Sequence, residues 1–137
     1  ALQRCARLGK EIMPDTLLLA VTVLTSMDQQ ALQSIGVKSP VIEQVERLAR
    51  VAVKSEIGGV VCAPKELIHL RSGLPPVTRL ITPGIRPTGS AMGDQKRIMT
   101  PSLAMDAGAD YLVIGRPILE AENPASALSN ILGELDQ

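Results

Sequence analysis

The chain has 137 residues, 45% of them hydrophobic and 20% charged, which is enough apolar material for one packed domain and too much for a disordered segment. Fourteen basic side chains balance fourteen acidic ones, which excludes nucleic-acid binding through bulk charge. With no Trp, no Phe and Tyr111 as the sole tyrosine, the stacking platforms of single-strand binders are missing as well.

The opening stretch "ALQRCARLGKEIMPDT" reads as an amphipathic helix and lacks the apolar run of a signal peptide. No apolar stretch approaches the roughly 18 residues needed to cross a membrane. Cys5 and Cys62 are too few for a disulfide framework and have no metal-ligand spacing. They read as two reduced thiols of a soluble, cytoplasmic protein.

Four short apolar, β-branched runs follow in order: Leu17–Val23, Gly58–Cys62, Arg79–Thr82 and Tyr111–Gly115. They are continuous rather than alternating, the pattern of parallel strands buried on both faces. Helical patterns lie between them. In "SPVIEQVERLARVAVKSE", Val41, Val45, Leu48 and Ala52 recur at helical spacing. "PKELIHLRSG" and "PSLAMDAG" read as shorter helices closed by glycine. "NPASALSNILGEL" sets Leu128, Ile131, Leu132 and Leu135 on one stripe. Pro40, Pro64, Pro101, Pro117 and Pro124 each fall where a first helical turn begins, a position that tolerates the missing N–H.

The expected order is a helix and then four β-α units over residues 1–137, a single domain without linker or repeat. Alternating strands and helices imply right-handed crossovers and a parallel sheet. An open doubly wound sheet and part of a (β/α)8 barrel both fit. A complete barrel takes about 250 residues, so this chain is near half of one.

In both architectures ligands bind where the carboxyl ends of the strands meet the loops. The last strand ends in "VIGRPIL", where Gly115 permits close backbone approach, Arg116 supplies a forked cation and Pro117 begins a helix. That is a phosphate seat in outline. The preceding connection, "LITPGIRPTGSAMGDQKRIMTP" from Leu80 to Pro101, adds Arg86, Gln95, Lys96 and Arg97 beside the same sheet end. Strand-to-helix links usually need only about 2–6 residues, so so long and basic a loop asks for a purpose. Thr22, Thr25 and Ser26 bring hydroxyls to the rim after the first strand, and capping of a helix near Asp28 accounts for at least one. His69 lies in a helix with no partner at ligand spacing, which favours a surface or packing role. Lys10, Lys38, Lys54 and Lys65 read as helical or loop residues away from the strand ends. No Walker loop, GxGxxG, HExxH or nucleophile elbow is present.

"LLLAVTVLTSMD", "GGVVCAPKE", "LITPGIRPTGSAMGDQKRIMTP" and "AGADYLVIGRPILEAENP" together resemble the carboxyl-terminal half of bacterial orotidine 5'-phosphate decarboxylase, from about Leu17 onward. The resemblance implies a (β/α)8 TIM barrel of which this chain covers about the last four β-α units. It implies a homodimer that converts orotidine 5'-monophosphate to uridine 5'-monophosphate without metal or organic cofactor. It places Arg86, Gln95, Gly115 and Arg116 among the substrate-binding residues, Gln95 and Arg116 on the phosphate and Thr25 near the pyrimidine. The long loop then resembles a lid that closes over the phosphate. The family's catalytic lysine and D-x-K-x-x-D motif are absent: "DQKRIM" (Asp94–Met99) begins Asp-x-Lys but ends in methionine. No catalytic residue is therefore assigned to this chain. Two other readings stand beside this one, a related sugar-phosphate barrel lyase such as a hexulose-phosphate synthase and a non-catalytic phosphate-binding half-barrel. Unpaired strand edges in such a half are expected to recruit partners.

Overall fold

The structure, a computed structural model, describes residues 1–87 and 99–136. Its elements are α1 (Leu2–Ile12), β1 (Leu19–Val21), α2 (Gln29–Ser34), α3 (Val41–Lys54), β2 (Gly59–Val61), α4 (Leu67–Gly73), β3 (Arg79–Pro83), α5 (Pro101–Asp106), β4 (Tyr111–Val113), α6 (Arg116–Leu119) and α7 (Pro124–Leu135). A 3-10 turn, Pro64–Glu66, runs directly into α4. The four strands make one sheet in the order β1-β2-β3-β4, every neighbouring pair parallel. Each strand falls on one of the four apolar runs of the sequence.

Register sorts the side chains into two faces. Ala20 pairs with Val60 and Val60 with Leu80, while Thr82 pairs with Leu112. Residues paired in this way share a face. Val60, Leu80 and Thr82 are fully buried there against Val45, Ala49 and Ala52 of α3 and Leu67 and Leu70 of α4. Ala6 of α1 and Ala104 of α5 join the same core.

The opposite face carries Leu19, Val21, Val61, Ile81, Tyr111 and Val113. Leu19, Val21, Tyr111 and Val113 are 41%, 59%, 54% and 49% exposed. The expectation of strands buried on both faces is thus corrected for β1 and β4: the core helices lie on one side of the sheet only. Between them, Gly59 lets Leu19 and Ile81 close over its bare Cα. A Cβ there would stand 2.8 Å from the Leu19 side chain and from the Arg79 carbonyl oxygen, and 3.0 Å from Ile81 Cδ1.

This one-sidedness chooses between the two architectures. A doubly wound sheet has helices on both faces and a reversal of strand order. Sequential parallel strands with helices outside and a bare apolar inner face are part of a (β/α) barrel.

Several local expectations shift. Pro40 stands at the cap of α3 rather than in its first turn, whereas Pro64, Pro101 and Pro124 open their helices. "PKELIHLRSG" is a 3-10 turn plus a helix, because the Glu66 carboxylate turns back to accept from the Ala63 N–H at 2.8 Å. Of the α7 stripe, Ile131 is buried while Leu128, Leu132 and Leu135 are exposed.

At the amino end of the strands, away from the loops of interest, Asp110 collects three donors. Its carboxylate accepts from Arg71 at 2.5 Å, Arg79 at 2.7 Å and the Leu80 N–H at 2.8 Å. Arg71 also donates to the carbonyls of Thr78 and Gly108, tying α4, β3 and the turn before β4 together. Gly108 takes a φ of +99°, a conformation open to glycine and costly for other residues.

Candidate functional site

The carboxyl ends of the four strands form one rim. Thr25 follows β1, Cys62 to Glu66 follow β2, Arg86 follows β3, and Gly115 and Arg116 follow β4. Neighbouring parallel strands lie about 4.8 Å apart, so Arg86 and Arg116 leave adjacent strands while Thr25 leaves a strand roughly 10 Å from that of Arg86 and roughly 14 Å from that of Arg116.

After β1 the chain makes a turn closed by the Met27 N–H on the Leu24 carbonyl at 2.9 Å. The Thr22 hydroxyl donates to the Val61 carbonyl at 2.7 Å and extends the ladder instead of facing a ligand. Helix α2 is capped by Asp28, whose Oδ1 accepts from the Ala31 N–H at 2.9 Å. Capping therefore needs neither Thr25 nor Ser26. Thr25 is half-buried on the rim, and its hydroxyl has no hydrogen bond among the described residues.

After β2, Cys62 and Thr82 meet as a buried pair, Sγ to Oγ1 at 3.9 Å. Lys65, read from sequence as remote, stands on this rim in the 3-10 turn, and the buried Glu66 stands beside it. Sequence held a signal for Glu66: a glutamate three residues after a cap position reaches back to the cap N–H.

After β3, Gly84 turns the chain at a φ of +82°. Ile85 then pairs with Met99 in an isolated parallel bridge, and the Arg86 N–H donates to the Met99 carbonyl at 2.9 Å. The two ends of the long basic connection are thereby clamped together. Arg86 is only 7% exposed, and its Nη1 donates to the Ile85 carbonyl at 2.9 Å. No described carboxylate lies within ion-pair distance of it. A buried guanidinium with five donors and, among the described residues, one carbonyl partner is a costly group. Gln95, Lys96 and Arg97 lie outside the described residues.

After β4, Gly115 caps α6 and Arg116 is its first residue, so the helix begins one residue ahead of Pro117 and makes a single turn. The amides of Ile118 and Leu119 both donate to the Gly115 carbonyl, at 2.9 and 3.0 Å, and Pro117 has none to offer. The expected seat of free helix amides is thus reduced. The Arg116 side chain is exposed there, and the backbone at Gly115 is open, with nothing within 4 Å of an added Cβ.

His69 is half exposed and sits 3.0 Å from Glu46, a contact of α4 with α3 that its sequence spacing concealed. Among the described residues no cluster of three or more His, Cys, Asp or Glu could hold a metal ion. None of the described helices is long and apolar enough to cross a membrane.

The family model described as orotidine 5'-phosphate decarboxylase / HUMPS family matches residues 1–131. An orotidine 5'-phosphate decarboxylase from Psychromonas ingrahamii is 58% identical over 115 residues, 84% of this chain and 49% of the relative. One from Actinobacillus succinogenes is 53% identical over 119 residues, 87% of this chain and 51% of the relative. The chain therefore spans about half the length of the curated relatives it matches. The crystal structure of orotidine 5'-phosphate decarboxylase from Lactobacillus acidophilus superposes with a TM-score of 0.73 at 36% identity, covering 88% of this chain and 49% of that one. A Sulfolobus solfataricus structure at 20% identity, with a TM-score of 0.66 over 99% of this chain and 55% of the other, shares the fold. With sheet, rim and sequence in agreement, the chain belongs to the orotidine 5'-phosphate decarboxylase / HUMPS family.

Proposed function

We propose that residues 1–137 form one domain, the phosphate-gripping half of an orotidine 5'-phosphate decarboxylase barrel. The observation that carries this reading is Arg86: a buried guanidinium with no carboxylate partner among the described residues, held where the chain leaves β3 and one strand away from Gly115 and Arg116. An anion with several oxygens is the complement such a group lacks. Gln95 in the loop and Arg116 at the next strand end are the further phosphate ligands, and Thr25 faces the pyrimidine from across the rim.

Held by its phosphate, the substrate is fixed at one end while its ring reacts at the other. With the phosphate held, remote binding energy is available to lower the barrier at the ring. Decarboxylation leaves a carbanion-like centre that needs a fixed cation and paired carboxylates nearby. Neither the D-x-K-x-x-D motif nor its partner lysine is in this sequence. The reacting groups come from the amino-terminal half, and the whole enzyme, a cytoplasmic homodimer of complete barrels in this proposal, needs no metal or organic cofactor.

The family's shared name keeps a hexulose-phosphate synthase in view. Identities of 53% and 58% to named decarboxylases favour decarboxylation. The test joins this chain to the amino-terminal half of such a relative and titrates orotidine 5'-monophosphate and orotidine in parallel. Arg116→Ala is expected to weaken the nucleotide by about 2–4 kcal/mol, the scale of charge-assisted hydrogen bonds, and to leave the nucleoside nearly unchanged. Arg116→Lys restores part, because lysine cannot make the fork. Equal losses for both ligands would overturn the phosphate assignment.

A further inference from the structure

Thr22 stands where β1 leaves the sheet. Its N–H and its hydroxyl both donate to the Val61 carbonyl, at 3.2 and 2.7 Å. Val61 ends β2 and is fixed from the other side as well: it pairs with Ile81 of β3, and the Cys62 N–H donates to the Ile81 carbonyl at 3.1 Å. Lower on β2, the Gly59 N–H donates to the Leu18 carbonyl, so by alternation the Ala63 N–H would follow toward β1. It donates to the Glu66 carboxylate instead. The β1–β2 ladder therefore closes on Thr22 and Val61, and the hydroxyl doubles the closing bond.

Thr25 follows three residues later, in the turn that the Met27 N–H closes on the Leu24 carbonyl. The far side of that turn is held several times over. Asp28 caps α2, and the Gln29 side chain donates to the Ser39 carbonyl at 3.1 Å and accepts from the Val41 N–H at 2.9 Å, joining the start of α2 to that of α3. On the near side the buried Val23 side chain sets the depth of the chain, but apolar burial has no direction. Lateral placement against β2 falls to the directional bonds of Thr22. β2 is also the strand that separates the Thr25 end of the rim from the Arg86 end. We infer that Thr22 is a positioning residue: its hydroxyl, tied to the Val61 carbonyl, sets the span between the Thr25 hydroxyl and the Arg86 end of the rim that a ligand held at both must bridge. The inference rests on the reading above, with phosphate at Arg86 and Arg116 and the pyrimidine at Thr25.

The test uses the chain joined, as above, to the amino-terminal half of a relative. It titrates uridine 5'-monophosphate and ribose 5-phosphate, which lacks the ring. Thr22→Val keeps the branch and the amide and removes only the hydroxyl. It is expected to weaken uridine 5'-monophosphate about three- to tenfold, the scale of one net hydrogen bond, and to leave ribose 5-phosphate unchanged. Thr22→Ser is expected to bind like the parent, and Thr22→Ser against Thr22→Ala repeats the comparison at smaller volume. In a Thr25→Val background Thr22→Val is expected to cost nothing more, because a residue acting through Thr25 then has nothing left to place. Losses that add in the double variant overturn the inference, as does a Thr22→Ser as weak as Thr22→Val. Equal losses for both ligands in Thr22→Val and Thr22→Ala overturn it too, since the hydroxyl would then hold the fold rather than place Thr25. A costly Thr25→Val beside a silent Thr22→Val sinks the inference alone. A silent Thr25→Val removes the pyrimidine from Thr25 and takes the inference with it, so the two failures are told apart.

Discussion

The Arg86 N–H donates to the Met99 carbonyl at 2.9 Å, so the long basic connection leaves and rejoins the sheet at one point. The same residue carries the buried guanidinium, and backbone and side chain separate by mutation. Arg86→Met keeps the clamp and most of the volume while removing a buried charge. Burying a cation that no described carboxylate pairs is costly, so the ligand-free protein is expected to gain about 1 kcal/mol of stability or more. Affinity for phosphorylated ligand is expected to fall at least tenfold. Urea unfolding and ligand titration of the one variant check both signs. A variant that is less stable and binds as well as the parent contradicts the role given to Arg86.

Asp110 holds the other end of the sheet. Burial by itself pushes its carboxyl pKa up, but the Leu80 amide, Arg79 and Arg71 together outweigh that and hold it below the ordinary value. A carboxylate lowered on folding stabilises fully above its ordinary pKa, near 4, and loses that contribution as pH falls through the folded value. Asp110→Asn is expected to cost about 2–4 kcal/mol at neutral pH, since it leaves Arg71 half-buried without its anion. The gap between parent and variant should close as pH drops below about 4. Urea midpoints measured from pH 7 to pH 2 test this; a gap that widens toward acid contradicts it.

Gly59 is the tight point of the open face. An added Cβ meets the Arg79 carbonyl oxygen at 2.8 Å, and that oxygen belongs to the neighbouring strand. Backbone in mid-sheet yields little, so Gly59→Ala is expected to destabilise the chain by about 1–3 kcal/mol, an overpacking magnitude. Gly133 has nothing within 4 Å of its Cβ position and lies within α7, so Gly133→Ala is expected to stabilise by up to about 1 kcal/mol. Thermal unfolding of the two variants side by side gives opposite shifts if the packing is as described.

The strands were legible because continuous β-branched runs have few alternatives, and proline marked most of the helix starts. What periodicity does not carry is the identity of the covering layer. Leu19, Val21, Tyr111 and Val113 are apolar in sequence and exposed in the structure, since a run of residues records that a face is to be buried and not what buries it. Leu128, Leu132 and Leu135 fail the expectation for the same reason. Contacts between distant segments were equally hidden: His69 with Glu46, and Arg71 with Asp110, depend on how helices and strands stack. At the rim, the composition pointed to Arg86 and Arg116, but that Thr22 is spent on a carbonyl and Lys65 is not remote required the fold.

The most direct test of the account is loss of orotidylate absorbance, measured with the purified chain and again with its amino-terminal complement joined to it. In the proposed function the chain supplies a phosphate grip and the other half the lysine and paired carboxylates that act on the ring, and binding alone lowers nothing at the transition state. No turnover is expected from residues 1–137 by themselves, and decarboxylation is expected once the other half is present. Turnover by the lone chain near the rate of the joined enzyme would contradict the account, as would a joined enzyme that acts on a hexulose phosphate and leaves orotidylate untouched.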